Sequence, residues 1–247
     1  MTASLDVLAI GAHPDDVEVG CGGTLILAAD AGLRVGVADL TGGERATRGT
    51  PARRASERQE ATKLMGVAVR RSVGLPDTGL GTEPGHRAAL LELLREVRPT
   101  VVLAPYPEDR HPDHAAAGRL VREASFLAGV AKVGRGSPHR PARVYHYMVN
   151  HPFPPSFVVD ISRVWSRKMA AIRAYESQFG EDPADAATEL SGGRFVGVIE
   201  AGGTFHGAMI GVDRGEPFHC EGPVPLAFLP GFHEGAIGQR TGYGMFL

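Results

Sequence analysis

An α/β fold with a mainly parallel sheet follows from three features of the sequence. Short apolar runs stop abruptly, as in Leu5–Ile10 before Gly11 and Val101–Leu103 before Pro105. Runs of this kind suit strands buried on both faces. Between them lie segments of helical periodicity. One is Asp113–Ala128, where Ala117, Leu120, Val121 and Ala124 follow at spacings of 3, 1 and 3. Strand-like and helix-like segments alternate along the chain, which implies right-handed crossovers. The prediction is a Rossmann-like three-layer fold with an irregular C-terminal region.

The elements follow in order. Leu5–Ile10 is the first strand, and Gly11–Gly23 reads as a loop rich in glycine and charge. Thr24–Ala31 reads as a helix stopped by Gly32, Arg34–Leu40 as the second strand, and Thr41–Thr50 as a loop. Pro51–Met65 has proline at its start and Gly66 past its end, the usual punctuation of a helix. Val67–Gly74 is a weak strand, Arg87–Val97 a helix and Thr100–Pro105 a buried strand, followed by the helix Asp113–Ala128. Val144–Val149 and Phe157–Ile161 read as strands, and Ser162–Tyr175 as a helix capped by Ser162. After Phe179 the pattern blurs, because Gly192, Gly193, Gly197, Gly202, Gly203 and Gly207 interrupt any helix. One domain over residues 1–247 is expected, with an α/β core over 1–180 and a cap or oligomer-contact region over 181–247 carrying exposed Phe205, Phe218, Phe228 and Phe232.

Composition narrows the function classes. The 26 Lys and Arg against 28 Asp and Glu give a net charge of −2, which argues against a chain built to coat nucleic acid or an acidic membrane. Two cysteines, Cys21 and Cys220, are too few for a disulfide framework. No apolar run reaches the length of a membrane span. Met1–Ala12 lacks a basic region and flows into a strand pattern, so it does not read as a signal peptide. The expected setting is cytoplasmic.

Two polar clusters follow predicted strands, where open α/β sheets bind their ligands. One is Ala12-His13-Pro14-Asp15-Asp16-Val17-Glu18; the other is Pro107-Glu108-Asp109-Arg110-His111-Pro112-Asp113-His114. Both contain His-Pro-Asp. Taken singly these residues have ordinary uses: a histidine in a loop, an aspartate as a helix cap, a proline shaping a turn. Taken together, His13, Asp16 and His114 form a two-imidazole, one-carboxylate set that holds Zn²⁺ and leaves a position for water. Fe²⁺ fits the same donors. Such an ion acidifies water and polarises a carbonyl, which suits amide hydrolysis. Asp15 need not bind it and is placed to act as general base. His111, protonated and bonded to Asp113, is a candidate to stabilise the oxyanion and protonate the leaving amine. Gly20-Cys21-Gly22-Gly23 does not have the G-x-G-x-x-G spacing of a dinucleotide site, and acidic residues precede it. Cys21 reads as a packing residue. Arg53, Arg54 and Arg58 lie on a charged helix. They are either solvated or, if one faces the crevice, placed to bind an anionic substrate group.

AHPDDVEVGCGGTL together with APYPEDRHPDH resembles the LmbE-like, or N-acetylglucosaminyl-phosphatidylinositol deacetylase (PIG-L type), family of zinc-dependent deacetylases. The likeness extends over about residues 5–180, with Leu40-Thr41-Gly42-Gly43-Glu44, Gly49-Thr50-Pro51, Leu75-Pro76-Asp77 and Ala174-Tyr175-Glu176-Ser177-Gln178-Phe179 as further matching stretches. It is most similar to the bacterial branch that deacetylates N-acetylglucosaminyl-malate in bacillithiol biosynthesis. The resemblance implies zinc held by His13, Asp16 and His114, Asp15 as base, and His111 backed by Asp113. It also implies Arg54 contacting the sugar or its anionic aglycone. Related members often carry a Tyr before a late Glu-x-Phe. Here Gly211–Phe218 places Arg214 at that point, a candidate for an anionic substrate. The partners implied are a small amino-sugar substrate and further copies of the chain, as a trimer or hexamer. Two other readings stand beside this one. One is a family deacetylase acting on another N-acyl amino sugar or natural product. The other is a non-catalytic, metal-stabilised binding module. Asp15 and His111, additional to the three ligands, speak against the second, because structural zinc sites are usually closed by four protein ligands.

Overall fold

The computed structural model describes residues 4–180 and 186–224. Seven strands form one sheet in the order β3-β2-β1-β4-β5-β7-β6. The first five are β1 (Val7–Gly11), β2 (Val35–Asp39), β3 (Val69–Ser72), β4 (Val101–Pro105) and β5 (Arg143–Tyr147). All of their pairings are parallel, with Val7 opposite Val35 on one side and Val101 on the other. β6 (Phe157–Asp160) and β7 (Gly215–His219) complete the sheet, and β7 runs antiparallel to both of its neighbours. The mainly parallel α/β sheet matches the sequence prediction.

Helices cover both faces. α3 (Pro84–Val97) and α4 (Pro112–Ala128) pack Leu90, Leu94, Leu120 and Val121 onto one side. On the other, α1 (Asp16–Asp30), α2 (Pro51–Met65) and α5 (Trp165–Arg173) meet through Ile26, Ala61, Met65 and Ile172. α2 shows the expected punctuation: Thr50 Oγ1 accepts from Arg53 N–H at 3.2 Å, and Gly66 ends the helix at φ 71°. The helix expected from Ser162 opens with a 3₁₀ turn, Ser162–Val164. There Asp160 Oδ1 takes the Ser162 N–H at 2.9 Å, so Asp160 does the capping expected of Ser162. The short α6 is Glu176–Phe179.

Two segments differ from the sequence reading. α1 begins at Asp16, eight residues before the expected helix, and bends at Cys21 (φ −145°, ψ 16°). The bend leaves the Gly23 and Thr24 N–H groups without helical partners, and the buried Glu216 carboxylate accepts both, at 2.8 and 2.7 Å. The glycines here serve close packing. A Cβ on Gly20 would lie 2.1 Å from the Tyr147 ring. The second difference is in the glycine-rich segment expected to be irregular, where Arg194–Ile210 forms the 17-residue helix α7 and β7 then enters the sheet. A Cβ on Gly203 would meet Trp165 at 2.7 Å, and one on Gly207 the backbone of Val212 and Arg214 at the same distance. Each glycine lowers helix propensity by ~1 kcal/mol, offset by the close approach it permits.

Phe218, expected to be exposed, is fully buried and stacks on Phe157 at 5.3 Å. Phe205 is exposed, as expected. Phe228 and Phe232 lie outside the described residues. Cys21 and Cys220 are buried and unbridged. No helix among the described residues is long and apolar enough to cross a membrane.

Candidate active site

The chain runs from β1 outward to β3 and then returns to lay β4 on the other side of β1. The carboxyl ends of β1 and β4 therefore flank the point where strand order reverses, the usual crevice of such sheets. Both His-Pro-Asp clusters sit there. After β1 the chain turns through residues 12–15, and the His13 N–H donates to Asp16 Oδ2 at 2.9 Å. Asp15 adopts φ 109°, a conformation that costs a non-glycine residue about 1–3 kcal/mol. After β4, His111 caps α4, its Nδ1 accepting the Asp113 N–H at 3.2 Å, and His114 stands on the first turn.

The side chains converge. Asp16 Oδ1 lies 3.1 Å from His114 Nε2, and Asp16 Oδ2 lies 3.6 Å from His13 Nδ1. Ligand atoms on a tetrahedral Zn²⁺, at bonds of ~2.0–2.1 Å, stand about 3.4 Å apart, and each imidazole nitrogen stands at about that spacing from an Asp16 oxygen, His114 from Oδ1 and His13 from Oδ2. One nitrogen each from His13, His111 and His114 also falls within 4.8 Å of the others. The charge balance points the same way. Burial pushes His114 down, but Asp16 and Asp109 overcome it and raise its pKa to about 9. His13 is likewise lowered by burial and raised well above the ordinary imidazole value by Asp113, Asp16 and Asp77. Carboxylates that hold protons on two buried imidazoles favour a divalent cation in the protons' place.

Beside these groups Asp15 is 7% exposed. Burial raises its pKa to about 7, with Asp16 adding to the shift and the Arg54 guanidinium opposing it. Arg54 Nη2 contacts Asp15 Oδ2 at 2.8 Å. His111 is lowered by burial and by the neighbouring His114 and His13. A cleft of about 550 Å³ opens over all of these residues, lined further by Arg45, Arg48, Asn150 and Phe195. That volume lies within the range of small-ligand sites.

A family model described as "PIG-L: GlcNAc-PI de-N-acetylase" matches residues 8–125, which contain both clusters. The diacetylchitobiose deacetylase of Thermococcus kodakarensis is 34% identical over 192 residues, covering 71% of each chain. The chain belongs to the PIG-L, or LmbE-like, deacetylase family. This PIG-L member is also 32% identical to a Bacillus cereus protein named "Probable N-acetyl-alpha-D-glucosaminyl L-malate deacetylase 2", over 70% of this chain and 83% of that one. A solved structure of a conserved protein from Thermus thermophilus superposes with a TM-score of 0.83 at 43% identity, covering 93% of this chain and 99% of that one. Membership makes the chain an N-deacetylase of the hydrolase class.

Within this PIG-L member the expected site residues fall into two groups. His13, Asp15, Asp16, Arg54, His111 and His114 line one cleft. Asp113 and Arg214 depart from expectation. The Asp113 carboxylate accepts from Thr78 N–H (2.7 Å) and Leu80 N–H (3.2 Å) and reaches His13 Nε2 at 3.3 Å. It therefore buttresses His13, and only its backbone N–H touches His111. Arg214 lies away from the cleft: its guanidinium stacks 4.8 Å over Trp165, and Nη1 donates to Glu200 O. The cation–π contact with Trp165 and the bond to the Glu200 carbonyl hold it there. Arg54 alone of the three α2 arginines is buried among the cleft residues; Arg53 pairs with Glu57 and Arg58 with Asp39. Sequence reasoning missed Asp77, which lies 3.3 Å from His13 Nε2, and Asp109, which lies 3.3 Å from His114 Nδ1. Asp109 sits inside the second cluster and was within reach. Asn150, on the loop after β5, carries no local signal.

Proposed function

We propose that this chain hydrolyses the N-acetyl group of an N-acetylglucosamine conjugate, releasing acetate and the free amine. One observation carries the reading: the buried Asp15 carboxylate, held by Arg54 at 2.8 Å and raised in pKa by its burial, adjoins the His13, Asp16 and His114 side chains. A general base works best when its pKa is near the working pH. The relatives named as deacetylases of acetylated glucosamine compounds support the substrate class.

His13, Asp16 and His114 would hold Zn²⁺ or Fe²⁺, which when bound supplies Lewis acidity toward a carbonyl and lowers the pKa of water. Asp15, its carboxylate oriented by Arg54, takes the proton from the attacking water and passes it to the amide nitrogen as the C–N bond breaks, so that acetate and the amine leave with the proton accounted for. His111 gives its Nδ1 to the Asp113 N–H, so its own proton is on Nε2. That N–H donates to the developing oxyanion, as a neutral imidazole does where burial and the neighbouring His114 and His13 hold its pKa down. Asp113 and Asp77 orient His13.

The finer reading is N-acetylglucosaminyl-malate as substrate, in bacillithiol biosynthesis. The Bacillus cereus relative supports it, and so do Arg45 and Arg48 on the cleft wall, where guanidinium groups suit a carboxylate-bearing aglycone. The test is acetate release from N-acetylglucosaminyl-malate, diacetylchitobiose and free N-acetylglucosamine, with Zn²⁺ and with chelator. Metal-dependent release fastest from the malate conjugate is expected. Faster release from the disaccharide would replace the malate reading, and no release from any of the three by metal-loaded protein would remove the proposal. Asp15→Asn is expected to keep the metal and lose roughly 10²–10⁴ in turnover; loss of the metal would make Asp15 a ligand instead.

A further inference from the structure

His114 uses both ring nitrogens. Nε2 faces Asp16 at 3.1 Å, and Nδ1 faces Asp109 Oδ1 at 3.3 Å. An imidazole that gives one nitrogen to a cation carries its proton on the other, so Nδ1 must donate. The acceptor it meets is held firmly. Asp109's carboxylate has no exposed side-chain surface. Its oxygens accept from the N–H groups of His111 (2.8 Å), Asn150 (2.9 Å) and His151 (3.2 Å), and from Asn150 Nδ2 (3.3 Å). Asn150 Nδ2 stands 3.2 Å from His114 Nδ1; with Nδ1 protonated the two are donors side by side that share the Asp109 Oδ1 acceptor. Most of these donors belong to the loop after β5, whereas Asp109 belongs to the loop after β4. The carboxylate thus fixes the ligand histidine against a neighbouring strand's loop as well as its own.

We propose that Asp109, clamped by Asn150, is a positioning residue for His114. It accepts the Nδ1 proton, selects the tautomer that leaves Nε2 free for the cation, and holds the ring in register with Asp16 and His13. This rests on the metal reading of the same site. Carboxylates in this relation to a ligand histidine contribute substantially to metal affinity. A purely structural role, stitching two loops together, would stabilise the protein but leave the metal affinity of the folded molecule unchanged.

The test is Zn²⁺ affinity by chelator competition on the purified full chain, with the melting temperature of the metal-free protein measured alongside. Asp109→Asn keeps the size and one acceptor oxygen but loses the charge, and is expected to bind Zn²⁺ roughly 10- to 100-fold more weakly. Asn150→Ala leaves every backbone contact in place and is the second variant should Asp109→Asn fail to fold; its loss is expected to be smaller, at or below about tenfold, the lower end of the range for such partners. In the Co²⁺-loaded protein the His114 Nδ1–H should give a shifted, slowly exchanging proton resonance that Asp109→Asn broadens or abolishes. Folded variants with unaltered affinity and an unaltered resonance overturn the role of Asp109. Failure of the unsubstituted protein to bind Zn²⁺ or Fe²⁺ overturns the metal reading itself, and this inference with it.

Discussion

Arg54 Nη2 donates to Asp15 Oδ2 at 2.8 Å and to the carbonyl of Pro14 at 2.6 Å, so one guanidinium braces both the side chain and the backbone of the turn that carries the candidate base. The geometry changes what a substitution there should do. Lysine keeps the charge but cannot hold two acceptors in one fixed plane. Arg54→Lys is therefore expected to lower kcat roughly 10- to 100-fold while KM moves less than about threefold, since misplacing a reacting group costs turnover more than ground-state binding. Steady-state kinetics on the best amino-sugar substrate decide it. A raised KM at unchanged kcat would return Arg54 to direct substrate contact.

Metal removal should be visible in stability. Asp16, Asp77 and Asp113 crowd His13, and Asp16 and Asp109 crowd His114. A ligand bound only by the folded state at about 100 times its Kd adds ~2.7 kcal/mol. For a chain of this size each kcal/mol moves Tm by roughly 2–4 °C. Zn²⁺-loaded protein is thus expected to melt roughly 5–10 °C above the chelated sample by calorimetry. Coincident melts at saturating Zn²⁺ would contradict a site built from these donors.

The parts of the site legible in the sequence were those compressed into single loops. His13 through Asp16 and His111 through His114 follow apolar strands directly, so strand ends and ligand candidates are read together. What the sequence hid was direction. Asp113 is two residues from His111, yet its carboxylate points to His13, one hundred residues earlier. Arg214 fell at a suggestive place in a motif and stacks on Trp165 instead. Glycine misled for the same reason: Gly203 and Gly207 are helix-breaking in isolation, and only the partners they meet, Trp165 and the turn before β7, reveal why they lie in a helix.

Glu216 exposes another link invisible to local patterning. Its carboxylate caps the second half of α1 through Gly23 and Thr24 and pairs with Lys168 Nζ at 2.6 Å, both side chains almost wholly buried. Glu216→Ala strands a buried ammonium and two helix N–H groups, and is expected to cost ~3–5 kcal/mol in denaturant unfolding. Glu216→Gln, which keeps an acceptor, should cost less. A loss below about 1 kcal/mol for the alanine variant would mean that water or another group takes over the cap.

Adjacent glycines on α7 should respond in opposite directions. A Cβ on Gly202 meets nothing within 4 Å, whereas one on Gly203 would press on the Trp165 ring at 2.7 Å. Both residues are helical, so alanine recovers backbone entropy at either position, worth roughly 0.5–1 kcal/mol. At Gly202 that gain stands alone, and Gly202→Ala is expected to stabilise. At Gly203 overpacking costs ~1–3 kcal/mol, and Trp165, already stacked under Arg214, has little room to yield. Gly203→Ala is therefore expected to destabilise. Paired unfolding curves check the sign; destabilisation by both would mean that the Gly202 face of α7 is covered in solution.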